Sequence, residues 1–224
     1  MKSKFDSQSK YSKLFTADFI TCDATRGRLR EKYKDPTIEL NLVSCQFAFH
    51  YSFESIRQAE CMLRNAAECL KTGGFFIGTM PDANEIMRRQ QEAKSKSFGN
   101  DVYQIEFQCD PDYPPLFGAK YHFKLDNVVD CPEFIVHFPT LVKLAMKYGL
   151  ELVRKERFDE YYKQPIVNGK YLLEKMQALE TCSDLDNSKL NDPEYTHVKD
   201  HFNNGRGIKK VGTLSKAEWE VTCK

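Results

Sequence analysis

The chain has 224 residues, 41% hydrophobic and 29% charged, a composition that suits one globular domain or one domain carrying a large insertion. Its 33 Lys and Arg against 32 Asp and Glu give a formal charge of +1, so no global field points to nucleic acid and any basic surface would have to be local. Eight cysteines, at 22, 45, 61, 69, 109, 131, 182 and 223, include no CxxC pair and no Cys/His cluster at zinc spacing, and read as reduced thiols of the cytosol or nucleus.

The opening MKSKFDSQSKYSKLF is polar and lacks the apolar core of a signal peptide. No apolar run approaches ~18 residues, so the sequence reads as a soluble intracellular protein with no membrane span. FTADFITCD (15–23) is expected as a short strand ending on an acid, followed by a charged surface segment broken at Asp35-Pro36. NLVSCQFAFHY (41–51) is the next expected strand. FESIRQAECMLRNAAECLKTGG (53–74) is an amphipathic helix, with Ile56, Ala59, Met62, Leu63, Ala66, Ala67 and Leu70 at helical spacing and Gly73-Gly74 as its stop. GFFIGTMPDA (74–83) follows as a strand closed by Pro81. Strand, helix and strand with short joints form a βαβ unit, whose handedness rule makes the two strands parallel.

Residues 84–132 break that rhythm. A charged helix (NEIMRRQQEAKSKSFGN) leads to DVYQIEFQ and KYHFKL, two period-two segments flanking the aromatic turn DPDYPPLFG, so 100–130 reads as an antiparallel β insertion. CPEFIVHFPTLVKLAMKYG (131–149) starts with a proline and ends in a helix with a glycine stop, and LELVRKERF (150–158) is expected as a further strand. From 159 the chain is polar and helical (NGKYLLEKMQAL), then loop-like (NNGRGIKK), and ends in LSKAEWEVTCK.

Several residues admit both a functional and a structural reading. In CQFAFHYSFES (45–55) the glutamine, histidine and tyrosine stand at the carboxyl end of a strand, where open α/β sheets bind ligands. The structural alternative is a satisfied buried histidine beside a buried tyrosine. Asp23 at a strand end is otherwise an ordinary helix N-cap. Glu133 after Pro132 is otherwise a helix opening with a favourable dipole charge. Pro81 is otherwise a simple strand stop. Tyr103, Phe107, Tyr113, Phe117, Tyr121 and Phe123 have the alternation of a base-stacking platform, but one face of a core is the better reading for most of them. Arg88-Arg89 and Lys209-Lys210 read as solvated charge, and Met87, Met146 and Met176 as core filling.

CQFAFHYSFES, together with RNAAECLKTGGFFIGTMPDANEIMRR, SFGNDVYQIEF, DYPPLFGAKYHFKLDNVVDCPEFIVHF and GTLSKAEWE, resembles the mRNA cap guanine-N7 methyltransferase family, most closely its animal members, from about residue 15 onward. The resemblance implies an α/β class I S-adenosylmethionine-dependent methyltransferase, with a Rossmann-like sheet and residues 84–132 as an insertion on the cap-binding side. That family binds its cofactor first through a strand, a glycine-rich loop and an acid upstream of the FITCD strand. Here the one GxG, Gly205-Arg206-Gly207, follows Asn203-Asn204 rather than a strand. Residues 1–224 are therefore expected to be a partial catalytic domain, without the first βα unit and the last strand.

The roles implied are S-adenosylmethionine binding for Asp23, Gln46 and Tyr51, and guanine contacts for His50, Pro81 and Glu133. Asp23 would accept from the adenine amino group, Gln46 would act through its backbone, and Tyr51 would pack its ring near the cofactor. His50 would donate to guanine O6, Pro81 would shape the wall, and Glu133 would accept from N1–H and N2–H2 together. Guanine N7 carries an available lone pair and a sulfonium is a good leaving group, so positioning and electrostatics can supply the catalysis with no general base and no metal. The implied function is methyl transfer to N7 of the 5′ guanosine cap of mRNA in the nucleus. The implied partners are the capped mRNA 5′ end, a small RNA-binding activating subunit and the RNA polymerase II transcription machinery. The alternatives are a catalytically inactive form that only binds RNA or the activating subunit, and a small-molecule methyltransferase, against which the insertion and CPEF argue.

Overall fold

A computed structural model of the chain describes residues 15, 17–177, 179–205, 207 and 209–224. The polar lead at 1–14, Thr16 in the first expected strand, and Arg206 and Ile208 in the expected NNGRGIKK loop lie outside the described residues. The chain divides into two compact units: residues 1–80, 115–119 and 134–151, and residues 81–114, 120–133 and 152–224.

The first unit is built on the expected βαβ unit of strand, helix and strand. Strand β1 (Leu40–Gln46) pairs in parallel with β2 (Leu70–Thr79), and helix α1 (Ile56–Ala67) connects them. Ser55 caps α1, its hydroxyl oxygen accepting the Gln58 N–H at 3.3 Å. Ala59 and Leu63 of α1 are fully buried against Phe49 and Phe53, and helix α3 (Phe138–Lys147) adds Leu141 and Leu144 to the same core. The leucine and phenylalanine side chains of this cluster are each worth about 1.5–3 kcal/mol when fully buried.

Three expectations for this unit are corrected. Residues 17–23 form no strand; they end in a turn, and Phe19 and Ile20 are 45% and 38% exposed. No described strand runs beside them, and a strand exists only through a ladder partner. The second strand stops at Gln46, because Phe47 takes φ +49° and a 3-10 turn over Phe49–Glu54 carries His50 and Tyr51. The helix ends at Ala67 rather than at the glycine pair. Gly73-Gly74 sits inside β2, where the register with β1 shifts between Leu40 and Leu42. Gly73 has φ +80°, and a Cβ on Gly74 would lie 2.9 Å from the Lys71 carbonyl and 3.0 Å from that of Asn41. The glycines therefore serve a bulge, not a helix stop.

The second unit opens with α2 (Ala83–Ala93), capped by Asp82, whose side chain accepts the Asn84 N–H. Strands β3 (Ser97–Gly99), β4 (Tyr103–Phe107), β5 (Lys120–Leu125) and β6 (Val129–Phe134) follow in one four-stranded sheet, in chain order. β3–β4 and β4–β5 are antiparallel, as the period-two pattern predicts for 103–125. Tyr103, Ile105 and Phe107 alternate with Gln104 and Glu106, and Tyr121 and Phe123 face the same way, all buried. The aromatic rows are therefore core; Tyr113, at 83% exposure, is the exception.

CPEF does not open a helix. Cys131, Pro132 and Glu133 lie in β6, at the edge of the sheet, where a proline need cost no ladder hydrogen bond. Residues 150–157 form no strand either: Leu152 and Val153 are 55% and 80% exposed, with no described strand alongside. Helices α4 (Phe158–Lys163), α5 (Ile166–Met176), α6 (Asn187–Leu190), α7 (Thr196–Asn204) and α8 (Lys216–Thr222) and the antiparallel pair β7 (Glu180–Ser183) and β8 (Lys210–Thr213) complete the unit. Among the described residues no helix is long and apolar enough to cross a membrane.

Candidate functional site

In the first unit the expected residues gather at the carboxyl end of β1, except for Asp23. Gln46, the last residue of the strand, is exposed; its side-chain oxygen accepts from the Thr79 hydroxyl at 2.9 Å and its amide donates to Ser44 at 2.9 Å. The next residue, Phe47, holds the left-handed conformation, which costs a bulky side chain about 1–2 kcal/mol. It is fixed by its N–H donating to the Thr79 carbonyl at 3.0 Å. Strain of this kind at a strand end accompanies ligand sites often enough to mark this turn. Three residues on, His50 is 1% exposed and Tyr51 half-buried, with ring centroids 4.2 Å apart. The 3-10 turn thus brings the imidazole against the phenol at a 38° tilt, a contact that a continuing strand would forbid by sending the two rings to opposite faces.

Asp23 opens a turn rather than closing a strand or capping a helix. Its Oδ1 accepts the Thr25 N–H at 2.9 Å and the Thr25 hydroxyl at 2.7 Å, an Asx turn. The Thr25 hydroxyl, then its backbone N–H, hold the Asp23 carboxyl below the usual carboxylate range. The side chain stays more than half exposed, with Arg26 3.5 Å away. What holds this turn in place is Asn65 of α1, which the sequence reading missed. Its amide nitrogen donates to the carbonyls of Ala24 and Gly27, both at 2.8 Å, and its oxygen accepts the Leu29 N–H at 2.9 Å. Asn65 is 5% exposed, and its partners lie 36 to 41 positions away, so its role had no local signal in the sequence.

In the second unit Pro81 is buried just ahead of α2, and Glu133 is 4% exposed on β6. A carboxylate so deeply buried needs donors. The Tyr121 hydroxyl donates to its Oε2 at 2.6 Å, and the Lys224 ammonium lies 3.3 Å from the same oxygen. Burial pushes the Lys224 amine down to about 8, against the opposing pull of Glu133. Sequence reasoning placed Tyr121 in the core and had no signal for its hydroxyl partner, which becomes visible only once β5 and β6 are neighbours.

A second ionic cluster binds α2. Glu85, 7% exposed, accepts from Arg88, from Arg89 at 2.7 Å and from Arg157 at 3.3 Å, and these guanidinium groups hold its carboxyl at about 2. Arg89 also donates to the Tyr103 hydroxyl at 2.7 Å, and that hydroxyl donates to Glu220. Burial first, then the Glu220 bond, raise the Tyr103 phenol to about 12. Arg88-Arg89 is therefore an ion-paired fixture more than the solvated face expected of it. Among the described residues no group of three or more His, Cys, Asp or Glu is placed to hold a metal ion.

A parallel βαβ unit and a separate antiparallel sheet carrying a buried carboxylate define a mixed α/β protein, with polar residues concentrated at one strand's carboxyl end. The model of the mRNA (guanine-N(7))-methyltransferase domain matches residues 2–223, and the chain belongs to that family. It is 58% identical over 216 residues to the mRNA cap guanine-N(7) methyltransferase of Drosophila melanogaster, covering 96% of this chain and 50% of that protein. It is 40% identical over 223 residues to the enzyme of the same name from Caenorhabditis elegans, covering 96% and 58%. The chain spans about half the length of the curated relatives it matches. A solved S-adenosylmethionine-dependent methyltransferase from Clostridium acetobutylicum superposes with a TM-score of 0.39 at 13% identity, over 69% of this chain and 64% of that one.

Proposed function

We propose that the protein to which this chain belongs transfers a methyl group to N7 of the 5′ guanosine cap of mRNA. The observation that carries this reading is the 58% identity to a cap guanine-N(7) methyltransferase across 96% of the chain. It favours an active enzyme over a form that only binds RNA.

S-adenosylmethionine is the methyl donor in this reading, and the residues present fit its adenine end. Asp23 offers an ionised, solvent-facing carboxylate, the right acceptor for an exocyclic amine. The strained turn after Gln46 presents backbone groups, and the half-buried Tyr51 ring presents an apolar face. When bound, S-adenosylmethionine supplies an electrophilic methyl group on a good leaving group. Guanine N7 attacks with a lone pair it already has, so no protein group needs to remove a proton. The protein's task is then to bind, to orient and to exclude water, and proximity and alignment alone are worth up to about 7–11 kcal/mol of barrier.

For the guanine, Glu133 is the central residue. N1–H and N2–H2 are adjacent donors that one carboxylate accepts together, and the cationic product ring strengthens the attraction. Burial of Glu133 supports this role, because a desolvated carboxylate gains more from such donors than one in water. His50 donates to O6 and Pro81 contributes to the wall. Residues 84–132 form the cap-side insertion of a single catalytic domain. The nucleus is the compartment such a role requires, and capped transcripts, a small RNA-binding activating subunit and the RNA polymerase II machinery are the partners.

The test separates the two groups of residues in the full-length protein. His50→Ala and Glu133→Ala should cut cap methylation while leaving S-adenosylmethionine affinity near wild type, and Asp23→Ala should weaken that affinity itself. Equal loss of both properties in every variant would reject the assigned roles.

A further inference from the structure

We propose that Tyr121 is a positioning residue for guanine recognition: its buried hydroxyl fixes the plane of the Glu133 carboxylate, and with it the enzyme's preference for guanine over bases lacking the 2-amino group. The proposal rests on the reading of Glu133 as the guanine acceptor.

A glutamate has three side-chain torsions, and the last is broad and soft. Accepting two parallel N–H groups at once requires the carboxylate plane to coincide with the base plane, so a freely turning carboxylate would read guanine poorly. The hydroxyl of Tyr121 donates to Glu133 Oε2 at 2.6 Å, a short charge-assisted bond. The donor itself has no freedom. Tyr121 is 0% exposed on β5, its ring packs on Phe107 at 6.1 Å and 39°, and β5 is the neighbour of the strand that carries Glu133. The Lys224 ammonium approaches the same oxygen at 3.3 Å, so two donors converge on Oε2 and arrest rotation of the group. A phenylalanine would fill the core equally well. The buried hydroxyl is therefore the atom that the packing does not explain.

The test compares guanosine-capped with inosine-capped short RNA as methyl acceptors for the full-length protein. Inosine lacks the 2-amino group, so the ratio of the two kcat/KM values reads the alignment of the carboxylate directly. Tyr121→Phe should reduce the guanosine preference by about tenfold, mainly through KM for the cap, with S-adenosylmethionine affinity unchanged. In a Glu133→Gln background the same change should have no further effect on the preference, because the group it aligns is gone. A Tyr121→Phe protein that keeps the wild-type preference overturns the proposal, as does one that loses rate on both caps equally together with thermal stability. If Glu133→Gln itself leaves the preference intact, the underlying reading of Glu133 fails and the proposal with it. If Glu133→Gln abolishes the preference and Tyr121→Phe does not, only the role of Tyr121 is wrong.

Discussion

The side-chain oxygen of Asn65 accepts the backbone N–H of Leu29 at 2.9 Å, although the two residues stand 36 positions apart. The same side chain donates to Ala24 and Gly27, so one buried amide ties the whole turn that carries Asp23 to α1. Asn65→Ala should cost about 2–3 kcal/mol, because backbone groups lose partners they cannot replace. Hydrogen exchange would show the loss as faster exchange at the Gly27 and Leu29 amides, and calorimetry as weaker S-adenosylmethionine binding. Unchanged exchange at both amides would mean that the turn is held by other contacts.

Glu85 gives a prediction in acid. Its folded carboxyl titrates at about 2 rather than at the ordinary 4.5, so the unfolded chain takes up the proton first as pH falls. The stability it contributes is complete above pH 4.5 and is lost as pH drops towards 2. At pH 6 Glu85→Gln should destabilise by about 3 kcal/mol, since three arginines are left around a neutral amide. Urea unfolding at pH 6 and pH 3 should show this difference shrinking. A constant difference would place the effect in packing rather than charge.

Lys224 has the opposite sign. Its amine titrates at about 8 when folded and at 10.5 in the ordinary state, so between these values the unfolded chain binds the proton more tightly. The cost of burying the charge is full below pH 8 and disappears as pH rises towards 10.5. The stability of the wild type relative to Lys224→Met should therefore rise from pH 8 to pH 10, read by denaturant midpoints at matched salt. A relative stability that falls over this range would contradict the assignment.

Much of the fold was legible because it follows from period and punctuation. The apolar spacing of α1, the parallel joint between β1 and β2 and the alternation in β4 and β5 are all local patterns that the chain obeys. The strands expected at 15–23 and 150–158 failed for one cause: a strand is a relation between two segments, and a single segment cannot announce its neighbour. FITCD and LELVRKERF have strand composition but no described partner, whereas CPEF, with a proline and a carboxylate, became an edge strand because β5 was there to pair with. The end of β1 was misplaced because nothing in Phe47 advertises a left-handed backbone. Of the candidate site, the resemblance named residues, and their surroundings were not legible. Glu133 was singled out only through the family resemblance, while Tyr121, Lys224 and Asn65 acquire meaning only through contacts distant along the chain.

The central claim is that guanine N7 is the atom methylated. The direct measurement gives the full-length protein labelled S-adenosylmethionine and two RNAs, one capped with guanosine and one with 7-deazaguanosine, in which a C–H replaces the nucleophilic nitrogen. Label should enter only the guanosine-capped RNA and be recovered as 7-methylguanosine after digestion. Label on both RNAs, on a ribose, or on neither would contradict the account.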